Sequence, residues 1–193
     1  MSVASISHQG FTLWFTGMSG AGKTTISRLI ETRLREHGAK VELLDGDVVR
    51  ENLSQGLGFS KADRDANIRR IGFVCELLSR NGVIAIAAAI SPYRAARDAV
   101  RARIPNFFEI HMQCPLEKLV ERDVKGLYRK ALDGEIANFT GISDPYEPPL
   151  AAELTIDSSR ETPEEGAERL WNLLAGRGWI RLAAEARGVE SGR

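Results

Sequence analysis

Gly17-Met18-Ser19-Gly20-Ala21-Gly22-Lys23-Thr24-Thr25 decides the fold. It fits a pattern of Gly, four residues, then Gly-Lys-Ser/Thr, whose purpose is close approach of main chain to phosphate. Glycines without Cβ let the loop curl and aim successive amides inward. Lys23 brings a movable charge to the outer phosphates, and the Thr24 hydroxyl suits a Mg²⁺ ion. The flanks supply context. Residues 11–16 are apolar and rich in β-formers, as in a buried strand, while Ile26, Leu29, Ile30 and Leu34 repeat at helical spacing. A loop that joins a strand to a helix N-terminus also profits from the helix dipole and its unpaired amides. Nucleoside triphosphate binding follows.

Outward from the loop, the chain alternates strands and helices. Strands are expected at 41–44, 83–90, 107–112 and 153–156, the second of them apolar throughout like a central parallel strand covered on both faces. A short helix is expected over 48–53, and Ser60 is placed to cap the next, which carries Ile68, Ile71, Val74, Cys75 and Leu78 on one stripe. Ser91-Pro92 opens another helix, and a further one starts near Pro115 and runs into a basic stretch reaching about residue 142. Thr162-Pro163-Glu164-Glu165 has the capping Thr, first-turn Pro and acids of a helix start. The tail after Trp179 is expected to fray. The pattern predicts an α/β fold of three layers: a P-loop NTPase with a central parallel sheet of about five strands flanked by helices.

The 193 residues suit a single domain able to bury a core without staples. The formal charge is zero, which gives no general pull toward nucleic acid or an anionic membrane. No apolar run reaches the ~20 residues of a membrane span, and residues 1–10 lack a signal-peptide layout. A cytoplasmic protein is the expectation. Cys75 and Cys114 have no metal-ligand spacing and read as buried free thiols.

Four clusters fall near carboxyl ends of the expected strands. In Asp45-Gly46-Asp47, carboxylates two apart across a glycine diverge, so one can hold metal-bound water while the other accepts a proton. The same residues also serve a plain turn, with Asp47 as an N-cap. No acid ends the 83–90 strand, which shifts a metal role toward this pair. Arg64 and Asn67 share a helix face just after Phe59, a set suited to an anionic group attached to a base, whereas Arg69 and Arg70 fit a solvated face. Ser91, in Ile90-Ser91-Pro92-Tyr93-Arg94, either touches substrate or caps a helix. The basic, glycine-punctuated stretch from Arg122 to Gly141 is either a lid closing over phosphates or an ordinary charged loop.

Taken together with Leu57-Gly58-Phe59-Ser60, Asp63-Arg64, Asn67-Ile68-Arg69-Arg70, Arg122-Asp123-Val124-Lys125-Gly126-Leu127-Tyr128 and Phe139-Thr140-Gly141-Ile142, these segments resemble the adenylyl-sulfate kinase family in order and spacing over roughly residues 8–180. The resemblance implies ATP-dependent phosphorylation of the ribose 3′-hydroxyl of adenosine 5′-phosphosulfate (APS), by direct in-line transfer, with Mg²⁺. It implies ATP held by Gly20, Ala21, Gly22, Lys23, Thr24 and Thr25, with Arg122 and Thr162 nearby, and Asp45 reaching the metal through water. Asp47 is implied as the base, with Lys23 as its catalytic partner at the phosphates. Arg50, Arg64 and Asn67 would hold the phosphosulfate and ribose, Ile90, Ser91 and Lys125 would touch the acceptor, and Phe59 and Phe139 would sandwich its adenine. A lid over about 122–143, a homodimer and an ATP sulfurylase as functional partner belong to the same implication, with neither nucleic acid nor membrane as partner. The chain departs from the family at Ala66, where Glu is usual, at Ala96, where Asp is usual, and at Leu132, where Arg is common.

Overall fold

The apolar runs at the start, middle and end of the pattern lie side by side in one parallel sheet. The computed structural model describes residues 5–123 and 125–182, apart from the side chains of Asp47 and Leu182. Its elements are β1 (Ile6–His8), β2 (Thr12–Thr16), α1 (Lys23–Glu36), β3 (Val41–Asp45), α2 (Gly46–Asn52), α3 (Lys61–Arg80), β4 (Ile84–Ala88), α4 (Arg94–Arg101), β5 (Phe107–Gln113), α5 (Leu116–Arg122), α6 (Leu127–Leu132), β6 (Leu154–Asp157), α7 (Pro163–Gly176) and β7 (Ile180–Leu182). Five strands pair in the order β3-β4-β2-β5-β6, each pair parallel.

Strand periodicity explains why β2 and β4 are buried at every position. Leu13, Phe15, Ile84, Ile86 and Ala88 pack with Ile30, Leu34, Leu170 and Leu174 of α1 and α7 on one face. Trp14, Ala85 and Ala87 point the other way, onto Ile68, Ile71, Cys75 and Val100 of α3 and α4. At about 25 cal/mol per Å² of apolar surface, these two cores supply the dominant favourable contribution to folding. The tight side of the second core is Gly72, where an added Cβ would lie 2.6 Å from a Val100 methyl carbon. Both cysteines are buried and unpaired, as expected, and burial pushes the Cys75 thiol up to about 12.

Three expectations need correction. Residues 6–8 and 180–182 form an antiparallel ribbon, Ile6 opposite Leu182, that the sequence reading left out; Ile180 is buried, so the chain does not fray at Trp179. Such short strands carry too few residues for periodicity to stand out, and the tail from 183 onward lies outside the described residues. The helix expected to start near Pro115 and run into the basic stretch stops at Arg122, and a second short one, α6, follows within that stretch. Asp123 breaks it: its φ is +22°, and its carboxylate oxygens each accept, at 3.0 Å, from the amides of Tyr128 and Arg129. The Arg129 and Tyr128 amides hold that carboxyl below its ordinary pKa. Finally, α2 begins at Gly46, so Asp47 sits inside the helix and does not cap it.

Candidate active site

The phosphate loop leaves β2 between two neighbours, β4 and β5, at the carboxyl edge where the order of connections reverses and ligands of open α/β sheets bind. Glycine is required at its first position: φ of Gly17 is +150°, and a Cβ there would meet the Met112 carbonyl oxygen at 2.4 Å. At its end Gly22, with φ of +91°, occupies the cap position of α1 and turns the chain into the helix. Lys23 Nζ donates to the carbonyls of Gly17 and Met18, both at 2.8 Å, and so is held back along the loop. Those bonds set the ammonium beside the curled amides, where an outer phosphate would be met.

The loop forms one wall of a cleft of about 330 Å³. Gly20, Gly22, Lys23, Thr24 and Thr25 line it on that side, with Arg122 and Lys125 from the end of α5 and the turn beyond. Asp45, Arg50, Arg64, Asn67, Ile90 and Ser91 line the other side. Residues up to 105 positions apart, from Gly20 to Lys125 and with Ile90 and Ser91 among them, thus converge on one cleft. Ala21 lies fully buried under the loop, Thr162 lies outside the lining, and the Asp47 side chain lies outside the described residues.

Each wall has its own support. Arg64, buried in α3, donates Nε to the Phe59 carbonyl at 2.9 Å and Nη2 to the Asn138 carbonyl at 2.6 Å. One guanidinium therefore pins the main chain next to both rings expected around adenine. The rings themselves stand at the rim, outside the lining: Phe59 is about half exposed with Arg50 4.2 Å above its face, and Phe139 is partly buried and edge-on to Tyr128 at 5.0 Å. Asn67 accepts through Oδ1 from the Ser54 hydroxyl. Arg122 donates to the Ser158 carbonyl at 2.8 Å, and the Tyr128 hydroxyl donates to the Ser19 carbonyl at 2.8 Å, tying α5 and α6 to the phosphate side. Arg69 and Arg70 are exposed, as a solvated face requires.

Ser91 does not cap α4. Tyr93 holds the cap position without a side-chain bond, and Ser91 is a non-glycine residue at φ +42°. Its hydroxyl accepts from Trp14 Nε1 at 3.1 Å and donates to the Ala89 carbonyl at 3.3 Å. Thr162 does cap: its hydroxyl accepts from the Glu165 amide at 3.2 Å, and Glu165 accepts from the Thr162 amide at 2.8 Å. Trp14, Ser54 and Ser158 were missed in the sequence because they read as an ordinary core ring and loop hydroxyls; only their partners give them a role.

A hydroxyl and a carboxylate, Thr24 and Asp45, face the same cleft, and Arg28 Nη2 lies 3.4 Å from Asp45 Oδ2. Among the described residues no group of three or more His, Cys, Asp or Glu surrounds a metal position. Such a sparse oxygen set fits Mg²⁺, which keeps most of its waters and leans on substrate phosphates. Among the described residues, no helix is long and apolar enough to cross a membrane.

A family model described as "Adenylylsulphate kinase" matches residues 9–157. An adenylyl-sulfate kinase of Rippkaea orientalis is 58% identical over 172 residues, 89% of this chain and 95% of its own. Among solved structures, the APS kinase of Mycobacterium tuberculosis in complex with AMPPNP and APS superposes with a TM-score of 0.82 at 40% identity, covering 87% of this chain and 99% of that one. A hexameric APS kinase from Thiobacillus denitrificans gives 0.70 at 41% identity, over 90% of this chain and 30% of that longer one.

Proposed function

This chain belongs to the adenylylsulphate kinase family, and from that premise we propose that it transfers the γ-phosphoryl group of ATP to the ribose 3′-hydroxyl of APS, giving the 3′-phospho product and ADP. The observation that carries this reading is a single cleft with the phosphate loop on one side and Arg50, Arg64, Asn67 and Ser91 on the other. One side suits a triphosphate, the other an anionic nucleotide with a hydroxyl to present.

Phosphoryl transfer asks a protein mainly for positioning and charge stabilisation. Lys23 and the loop amides from Gly20 to Thr25 offset charge on the transferred group, with Arg122 and Thr162 toward ATP. Asp47, on the first turn of α2 at the carboxyl end of β3, orients the 3′-hydroxyl and takes its proton as the oxygen attacks in line; Ser91 then carries no phosphoryl group. Arg50, Arg64 and Asn67 hold the phosphosulfate and ribose, Ile90, Ser91 and Lys125 contact the acceptor, and Phe59 and Phe139 stack on adenine when residues 122–143 close as a lid. Thr24 and, through water, Asp45 would hold Mg²⁺, which would supply further charge neutralisation at the phosphates. The whole chain acts as one kinase domain in the cytoplasm and assembles as a homodimer, taking its APS from an ATP sulfurylase; light scattering checks the mass.

A coupled assay of ADP release with APS, AMP and gluconate as acceptors tests the reaction. Turnover with APS alone is expected; equal turnover with AMP or gluconate would reject the assignment. Asp47→Ala is expected to lose about 10²–10⁴ in turnover while keeping ATP affinity, and full turnover in that variant would remove the base from the mechanism.

A further inference from the structure

Behind the acceptor wall lies an ion cluster with no counterpart among the residues given roles above. Arg97 of α4 is 1% exposed, yet its guanidinium is fully occupied in three directions. Nε donates to Glu109 Oε1 at 2.7 Å on β5, Nη1 to the Ser91 carbonyl at 2.6 Å, and Nη2 to the Glu147 carbonyl at 2.7 Å. Glu109 is buried too, and its second oxygen accepts from Arg101 at 3.2 Å. Arg101 in turn holds Glu153, whose Oε2 accepts from the Glu109 amide at 2.6 Å. Two arginines and two glutamates therefore balance one another, Arg97 and Glu109 out of water and Arg101 and Glu153 at its edge.

A buried ion pair is poor evidence of stability for its own sake, because desolvation offsets most of its attraction. The geometry of this one gives it a different use. Ser91 holds a left-handed φ of +42°, a conformation strained for a non-glycine residue that persists only when its surroundings over-determine it. The surroundings do so. Its carbonyl is taken by Arg97, its hydroxyl by Trp14, and the preceding Ile90 carbonyl by the Thr16 hydroxyl at 2.8 Å. The Glu147 segment that Arg97 grips also closes back on the turn: the Glu147 amide donates to the Pro92 carbonyl at 2.9 Å, and Glu147 Oε2 accepts from the Arg94 amide at 2.8 Å. A planar fork that serves three acceptors on three segments is something only arginine provides; a lysine reaches one or two from a point charge.

We propose that Arg97 is a positioning residue for the acceptor site: it locks the Ile90-Ser91 turn, and with it the wall against which APS sits, without touching the substrate. The inference rests on the functional reading above and deepens it, since it assigns part of the acceptor affinity to a residue behind the wall. The phosphate loop meets this turn only at its first residue, through a long bond from the Gly17 amide to the Ile90 carbonyl at 3.4 Å, and is otherwise held by Gly17 packing on Met112 and by Lys23, so the loss of Arg97 falls mainly on the acceptor.

Arg97→Lys, which keeps the charge beside Glu109, and Arg97→Met are compared with the wild-type protein well below each melting temperature. The expected result is an APS KM raised about tenfold or more, as misplacement of roughly an ångström can cause, with the ATP KM and calorimetric ADP affinity within about twofold of wild type. The indole N–H resonance of Trp14, which reports its bond to Ser91, is expected to shift in both variants. A folded variant with an unchanged APS KM, or KM values for ATP and APS that rise together, would overturn the role. If neither Arg97 variant folds, Trp14→Phe removes the other tether on Ser91 and leaves the ion cluster alone; the same selective rise is expected, and its absence overturns the proposal. Failure of the wild-type protein to turn over APS would overturn the functional reading and this role with it, whereas an active wild type beside an indifferent variant overturns this role alone.

Discussion

Arg64 reaches across 74 positions of sequence to donate to the main-chain carbonyl of Asn138 at 2.6 Å, while its Nε holds the Phe59 carbonyl. Asn138 sits at φ +55°, a turn that aims Phe139. The arginine implied to bind substrate is thus also the clasp that sets both aromatic rims of the cleft. Arg64→Lys is expected to raise the APS KM by on the order of tenfold or more, since the fork cannot be replaced by a point charge. It is also expected to speed amide exchange in residues 138–144. Exchange there that matches wild type would remove the clasp.

Tyr128 makes a second tie, from α6 to the phosphate loop, through its bond to the Ser19 carbonyl. Tyr128→Phe keeps the ring against Phe139 and deletes only the donor. A loss of about 1 kcal/mol in denaturant unfolding is expected, the usual net worth of such a bond, together with weaker ATP binding by calorimetry. If both quantities stay at wild-type values, α6 does not restrain the loop through this bond.

The capping box of α7 gives a stability prediction read by unfolding, apart from any part Thr162 plays beside ATP. Thr162→Ala should cost about 1 kcal/mol, because the Glu165 amide loses its acceptor. Thr162→Ser should recover most of it. Equal unfolding midpoints for the three proteins would show that the cap contributes nothing.

His111 of β5 stacks on Tyr146, whose hydroxyl shares a hydrogen with Thr16, and burial together with the Arg97 charge holds its pKa below the ordinary histidine value. The unfolded chain takes up this proton near pH ~6.5, before the folded chain does. Between those two values the unfolded state binds more protons, so acidification destabilises the fold and the contribution is fully present only above the unfolded pKa. The melting temperature is expected to fall as pH drops from about 7 toward 5, and His111→Gln to flatten that slope. An unchanged slope would assign it to other groups.

The sequence carried the phosphate loop, the parallel order of layers and most of the cleft residues, because each depends on local rules. Gly17 and Gly22 answer to backbone angles, the apolar stripe of 83–90 to a strand covered twice, and Thr162 with Glu165 to a helix end. What the sequence left open is long-range and polar. Ser91 read equally well as a cap or a contact, and only Trp14 and Arg97, 77 positions before it and 6 after, decide that it is a strained turn held in place. Asp123 read as one charge in a basic stretch, yet its carboxylate ends one helix and starts the next. Apolar burial repeats with a period the chain itself displays, whereas a hydrogen bond is specified by where two segments meet, and that meeting exists only after the sheet has been assembled.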